Sequence, residues 1–569
     1  MSDSSRDTAT GAGWRVPGDP AEKGRWTWLL AKRLRPPSRP FRWISADSLL
    51  KSYNDVLTKF AGERVIHAQR QRWLELLRES GRTVGFTDLV VDRRDLAQPA
   101  FLVIGDPGEG DASQYCVATA IHSVPRTDFL VLCSDLIYPA GDVNDYADKF
   151  YVPYAGYPGP VYALPGNHDW YDLLHGFMFT FCDARMPFAL PPARGPRERI
   201  AGLLWRSARP PQPALLDRLR AESPPWRPGK LPAQPAPYFA IDTGPLRIVC
   251  IDTGVNGALD AEQGAWLARM SAGDKPKVLL TGKPLIVDYQ RRPCAIEGSD
   301  RTVDDIVRAA EHNYVATIGG DIHNYQRYPV EVDGRVIQYV VAGGGGAYMH
   351  ATHGLRPDTV PADLPDGVRF PPEDRIRLYP LRGDSLAFYS RRAVPYLRRF
   401  LVGGFAVSGA LLILAGVLLL LGLEIAAAIV VALAAFVLGY LYYTRAHHVL
   451  SLRGPLRDGR LDPDVASAYL AERYGLLATR QQARQVTVTP AERRLIELVM
   501  PLKERGLMVK FLSEILDSDE PPFFKHFLLL AVRDGKLVIE CRAVTGWAGS
   551  ERNPPVEDAV EIALRARER

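Results

Sequence analysis

The chain has 569 residues, a formal net charge of +5, 47% hydrophobic residues and 24% charged residues. That length exceeds one ordinary core, so a single small domain is excluded. The small net charge and the lack of a lysine or arginine block exclude a nucleic-acid footprint, and no nucleic acid is expected as a partner. Cys116, Cys133, Cys182, Cys250, Cys294 and Cys541 are scattered, mostly in apolar strand-like runs. They read as reduced core thiols and not as a disulfide framework or zinc cluster.

The opening stretch MSDSSRDTATGAG has no apolar signal core, so nothing in it marks the chain for secretion. Residues 1–97 contain helix-like patterns, DSLLKSYNDVLTKF and RQRWLELLRES, without recognisable chemistry, and read as an accessory helical region. From Phe101 onwards short apolar runs alternate with helical patterns: FLVIG, FLVLCS, VYAL, RIVCID, KVLLT and YVATIGG. Strands spaced by helices predict an α/β sheet, in which ligands gather at the strand C-terminal ends. This predicted catalytic core spans 98–390. Within it, 186–237 is rich in proline and arginine (LPPARGPRER, PPWRPGKLPAQPAP) and reads as a long insertion. A solvated surface loop, a basic lid over an anionic site and a contact with anionic lipid are the alternatives for it.

Polar clusters follow the predicted strands: GDPGEGD (Gly105 to Asp111), SDLIY (Ser134 to Tyr138), GNHDW (Gly166 to Trp170), TGKPL (Thr281 to Leu285) and GGDIH (Gly319 to His323). Such groups are expensive to bury unless paired or bound to something. Carboxylates, an asparagine amide oxygen, a histidine and a tyrosine form a mixed oxygen and nitrogen set, suited to manganese, iron, zinc or magnesium. Two close metals would clamp a phosphoryl oxygen and supply a hydroxide nucleophile.

The run from Phe400 to Tyr443 is apolar except for Glu424. A spanning helix needs about 20 apolar residues, so the run holds two helices with a turn near Gly422 to Glu424. Arg391, Arg392, Arg398 and Arg399 precede it and Arg445, Arg453 and Arg457 follow it. Both ends should therefore face the cytoplasm, which predicts a multi-pass membrane protein of two helices, over 391–450, with its catalytic domain cytoplasmic. A helical insertion is expected over 451–520. HFLLLAVRDGKLVIECRAVTG then reads as two strands joined at Asp534 and Gly535, so 521–569 should complete the catalytic core with its last strands.

In order and wording the clusters resemble the calcineurin-like metallophosphoesterase superfamily, in particular its purple-acid-phosphatase-like branch, over Ala100 to His353. GNHD is the most specific element, and GGGGAYMHATH and DAEQGAWL are similar to its connecting segments. The resemblance implies an α/β fold, a four-layer α/β/β/α sandwich, here with an inserted two-helix transmembrane hairpin. It implies hydrolysis of a phosphate mono- or diester by a metal-bound hydroxide, at one or two divalent or trivalent ions per chain (Mn, Fe or Zn). By position, one metal site would be Asp106, Asp135, Tyr138 and His323. Gly108 stands where many relatives have histidine, but the tyrosine-containing branch also lacks that histidine.

The second site would keep Asp135 and Asn167, but Gly282 and Asp321 stand at its two histidine positions. Three outcomes are open: Asp321 coordinates directly; the second metal is lost and Lys283 binds phosphate in the vacated space; or catalysis has decayed. By the same resemblance His168 would be the general acid and Asp169 its orienter, although Asp169 could equally cap the following helix. His350 and His353 are candidates for substrate contact. Glu109 and Asp111 read as turn and cap residues or as groups orienting ligands. A phosphate ester and the lipid bilayer are the expected partners, and the alternative function is a decayed phosphoesterase fold that binds a ligand or partner.

Overall fold

The computed structural model describes residues 41–206, 234–388 and 523–564, apart from 44, 126, 155, 188–189, 356–360, 362–363, 386–387 and 546–553, together with Val417, Leu420 and Val431. Most of the proline-rich insertion and the expected helical insertion at 451–520 lie outside the described residues. So does the apolar run at 400–443, except for those last three positions, which are helical. Among the described residues no helix is long and apolar enough to cross a membrane.

Three helices open the described chain: α1 (Ala46–Lys51), α2 (Tyr53–Ala61) and α3 (Glu63–Glu79). Ile66, Arg70, Trp73, Leu74 and Leu77 recur at helical spacing on α3 and are all buried. The helical reading of the N-terminal region needs one correction, because Val90–Arg93 forms a strand, β1. It pairs in parallel with Phe239–Thr243 and so extends a sheet of the core.

The strands that follow are β2 (Ala100–Gly105), β3 (Phe129–Cys133), β4 (Val161–Leu164), β5 (Phe239–Thr243), β6 (Arg247–Ile251), β7 (Lys277–Thr281), β8 (Tyr314–Gly319), β9 (Tyr325–Val332), β10 (Arg335–Ala342), β11 (Val368–Arg369), β12 (Arg377–Tyr379), β13 (Lys525–Arg533), β14 (Lys536–Val544) and β15 (Val556–Ala563). Between them lie α4 (Ala112–Ser123), α5 (Asn167–Trp170), α6 (His175–Phe181), α7 (Pro196–Leu204), α8 (Ala261–Ser271) and α9 (Val303–Arg308). Of the two large sheets, one runs β1-β5-β6-β7-β8-β10-β9-β11, with β12 also on β9, and the other runs β15-β14-β13-β2-β3-β4.

The chain is thus a mixed α/β structure, and strand alternation explains its layering. Phe101 and Val103 of β2 join Ile241, Ile248, Val278, Leu280, Leu528 and Leu530 in a core shared by both sheets. Leu102 and Ile104 point the other way and belong to a second buried cluster that includes helix residues such as Tyr115 and Trp73. β13 lies antiparallel against β2, with Leu528 opposite Val103, so a strand from the end of the sequence sits beside the first strand of the core. Asp534 and Gly535, at φ 49° and 71°, make the turn from β13 to β14. All six cysteines are buried as thiols.

Candidate metal centre

The polar clusters meet where the C-terminal ends of five strands converge. β2 delivers Asp106, β3 delivers Asp135, and Asn167 to Asp169 follow β4 in one sheet, while β7 delivers Lys283 and β8 delivers Asp321 and His323 from the other. At three of these ends the chain leaves the sheet through left-handed backbone at the carboxylate itself: Asp106 (φ 51°), Asp135 (φ 37°) and Asp321 (φ 66°). Aspartate tolerates this region better than most side chains, yet it remains a strained choice that accumulates at functional sites.

Asp106, Asp135 and His323 each offer one atom within 4.8 Å of the others, and all three residues are buried. Neither carboxylate oxygen of Asp106 has a hydrogen-bond partner, nor does the amide oxygen of Asn167, whose Nδ2 donates to Tyr171 Oη at 2.8 Å. The Tyr138 hydroxyl lies 3.0 Å from both Asp135 Oδ2 and His323 Nε2. His323 Nδ1 is 2.8 Å from the Tyr348 carbonyl, which can only accept, so Nδ1 carries the proton and Nε2 keeps its lone pair on the side of the Tyr138 hydroxyl and the carboxylates.

Burial, then the charges of Asp135 and Asp321, push the Asp106 carboxyl well above the usual range. Burial also raises Asp135. His323 is lowered to about 3 by burial, which keeps the imidazole neutral. Two buried acids, of which Asp106 has both oxygens without a donor, and a neutral, pre-oriented imidazole are the donor set of a cation site. These residues fit a metal ion. Gly108 fits the same loop: a Cβ there would stand 2.0 Å from the Leu136 carbonyl oxygen, so no histidine can occupy it.

His168 lies beside this group. Its backbone N–H donates to Asp135 Oδ1 at 2.9 Å, and its Nδ1 is 2.7 Å from the Pro139 carbonyl, which leaves Nε2 for other partners. The orienting contact expected from Asp169 is therefore made by Pro139. Asp169 instead accepts from the backbone N–H groups of Gly166 and Leu136, at 2.9 and 3.0 Å, and ties the α5 turn to the loop after β3.

Asp321 stands outside the close trio. Its Oδ1 accepts from Lys283 Nζ at 2.8 Å. Burial opposes both charges, but the Lys283 ammonium holds Asp321 below the usual carboxylate range. The carboxylates of Asp321, Asp135 and Asp106 in turn hold Lys283 above that of a free lysine.

Of the two histidines read as substrate contacts, His350 is buried behind His323. The rings are parallel at 4.3 Å, and His350 Nδ1 accepts from His323 N at 3.1 Å. His353 lies 2.8 Å from Ser385 Oγ. Both imidazoles are engaged within the protein.

Sequence reasoning missed Trp43, from the N-terminal region. Its indole packs edge-on against Tyr138, His168 and Tyr348 at 5.2, 5.7 and 5.4 Å. Nothing in the local pattern around it signals this role.

A calcineurin-like phosphoesterase family model matches residues 99–325, which start at β2 and reach the beginning of β9. That part of the chain is similar to a calcineurin-like phosphoesterase domain. The solved structures it resembles include a purple acid phosphatase, PPD1, from yellow lupin (Lupinus luteus) seeds, at 14% identity and TM-score 0.30, covering 45% of this chain and 46% of that one. GAP50, the anchor in the inner membrane complex of Plasmodium, is similar at 11% identity and TM-score 0.29, over 50% of this chain and 80% of that one. PhoD is similar at 14% identity and TM-score 0.26, over 44% and 58%. The chain thus spans less than half of the lupin enzyme's length. No curated protein sequence matches it.

Proposed function

We propose that the chain is a membrane-anchored, metal-dependent phosphoesterase that hydrolyses a phosphate mono- or diester, with its catalytic domain on the cytoplasmic side. The observation that carries this reading is the buried trio of Asp106, Asp135 and His323, with neither Asp106 carboxylate oxygen hydrogen-bonded. Asp106, Asp135, Tyr138 and His323 would hold the ion, with Asn167 beside them. When bound, a metal supplies Lewis acidity toward a phosphoryl oxygen and lowers the pKa of water to near neutrality. His168, held through Nδ1–H by Pro139, would in its doubly protonated form present Nε2–H to the departing alkoxide, protonate it and be left as the neutral imidazole.

Anchoring rests on the apolar run at 400–443 and its basic flanks. Further support comes from Phe388 and Phe524, which bracket the intervening segment and whose rings lie 5.8 Å apart. A chain that leaves and re-enters the core at one place must cross a bilayer an even number of times. Proximity to the bilayer favours a lipid-linked or membrane-derived ester as substrate.

The test is hydrolysis of aryl phosphate mono- and diesters by detergent-purified protein with manganese, zinc or iron added, and Asp135→Ala as control. Turnover abolished by that substitution is expected. No turnover with any of these metals would favour a second reading, a ligand-binding protein on a phosphoesterase fold, to which the Lys283–Asp321 pair also lends weight.

A further inference from the structure

We infer that this centre takes one metal ion, and that the Lys283 ammonium, held by Asp321, stands in place of a second ion as the phosphate-binding cation. The inference rests on the phosphoesterase reading above and concerns how that site is built.

Three observations carry it. First, the carboxylate that would have to serve as a second-site ligand is already committed: Asp321 Oδ1 is 2.8 Å from Lys283 Nζ, and Asp321 is not part of the trio within 4.8 Å. Second, the other position is a tightly enclosed glycine with no side chain to offer. A Cβ on Gly282 would stand 2.8 Å from Thr253 Oγ1 and 3.1 Å from the Pro165 carbonyl oxygen, so an imidazole there needs the Thr253 hydroxyl to turn and the carbonyl to give by a few tenths of an ångström. Third, without those two positions the donors left are Asp135, shared with the first site, and the neutral Asn167 oxygen. A divalent ion bound by so little, beside an ammonium, would be repelled more than it is held.

The ammonium suits the alternative role. Lys283 and Asp321 side chains are 26% and 25% exposed, so one side of the pair is open to an incoming anion. Lysine binds phosphate as a point charge with three rotatable donors, and Asp321 fixes only one of them. Such a cation can neutralise a phosphoryl oxygen but cannot act as a Lewis acid toward water. Water activation would then fall to the Asp106, Asp135 and His323 site alone.

The experiment counts ions. Full-length protein in detergent is stripped of metal, titrated to saturation with manganese, freed of unbound ion and measured by elemental analysis, alongside Lys283→Met and Lys283→Gln, each checked for wild-type melting. One manganese per chain is expected in the wild type, and a second, weaker equivalent in either variant as Asp321 is released. At a manganese level that fills only the first site, inorganic phosphate should bind the variants at least tenfold more weakly.

Two equivalents in the wild type would overturn the inference and leave the phosphoesterase reading standing, whereas none would overturn that reading and the inference with it. A count fixed at one in wild type and variants alike, or unchanged phosphate affinity, would remove the ammonium from its assigned role.

Discussion

Trp43 and Glu109 are joined by a 3.0 Å hydrogen bond from the indole Nε1–H to the carboxylate Oε1, both residues buried. The same oxygen accepts from Tyr348 N–H at 3.1 Å, and the Tyr348 carbonyl receives the His323 Nδ1–H at 2.8 Å. A contact from outside the family-matched segment thus reaches a candidate metal ligand through one carboxylate and the backbone of one residue. Glu109→Ala would leave two buried donors unpaired, at about 1–3 kcal/mol each. It should also weaken metal binding by about 10–100-fold, the usual effect of removing a group that orients a ligand. Glu109→Gln keeps the accepting oxygen and should bind metal nearly as the wild type does. Equal metal affinity in all three proteins, by titration, would break the proposed link.

The same carboxyl predicts a pH dependence. Burial and then the charge of Asp111 push Glu109 from 4.5 up to about 8. The folded state therefore favours the protonated acid. Its stabilising contribution is complete below the unfolded value and is lost as pH rises through the folded one. Relative to Glu109→Gln, the wild type should lose stability between about pH 5 and 8 and run parallel to it above that window. Denaturant unfolding at several pH values checks this, and parallel curves throughout would refute it.

His168 and Asp169 should separate by phenotype. His168→Ala should lower turnover by about 10²–10⁴-fold for esters with poor leaving groups and much less for aryl esters, whose departing oxygen needs no proton. Asp169→Ala should act on stability instead, because its carboxylate caps two backbone N–H groups at 2.9 and 3.0 Å. The expected cost is about 1–3 kcal/mol for each donor left buried. A leaving-group dependence in Asp169→Ala like that of His168→Ala would restore the orienter role to Asp169.

Arg70 ties the N-terminal helices to the core. Its Nε donates to Asp252 at 2.7 Å and its Nη1 to Asp260 at 2.5 Å, with all three side chains inaccessible. Asp252 also accepts from Trp170 Nε1 at 3.0 Å, next to the residues that follow β4. Arg70→Ala should destabilise by about 3–5 kcal/mol, because two carboxylates lose their buried counter-charge. A loss under about 1 kcal/mol in thermal or denaturant unfolding would mean that water reaches the pair.

These contacts mark what could be read from residues alone. The strands were legible because apolar runs such as FLVIG and YVATI end abruptly in polar groups, and the physics of burial makes that ending meaningful. Asp106, Asp135 and His323 share that signal, and the fold brings them within 4.8 Å. Pro139 and Tyr348 act through backbone carbonyls, which carry no side-chain signature. Trp43 reaches Glu109 across 66 positions with no repeat or spacing to announce it. Asp169 was ambiguous because a cap and an orienter occupy the same place in GNHD, and only the direction of the carboxylate decides. β1 was hidden by its short length and by the helices around it.

The segment between Phe388 and Phe524 should be removable. Their rings lie 5.8 Å apart, so the core's two ends already meet without it, and a linker of about four to six residues would span the gap. The strands after it are a different matter. β13 pairs with β2 along Leu528 to Ala531, and its removal would bare a central strand that carries Asp106 at its end. Two deletions separate these roles. A chain with 389–522 replaced by a short linker should be recovered without detergent and keep the metal content of the full protein, having lost the proposed membrane anchor. A chain ending at 520 should fail to fold. Recovery of the linker variant only in detergent, or without metal, would show that the deleted segment supports the core and is more than an anchor.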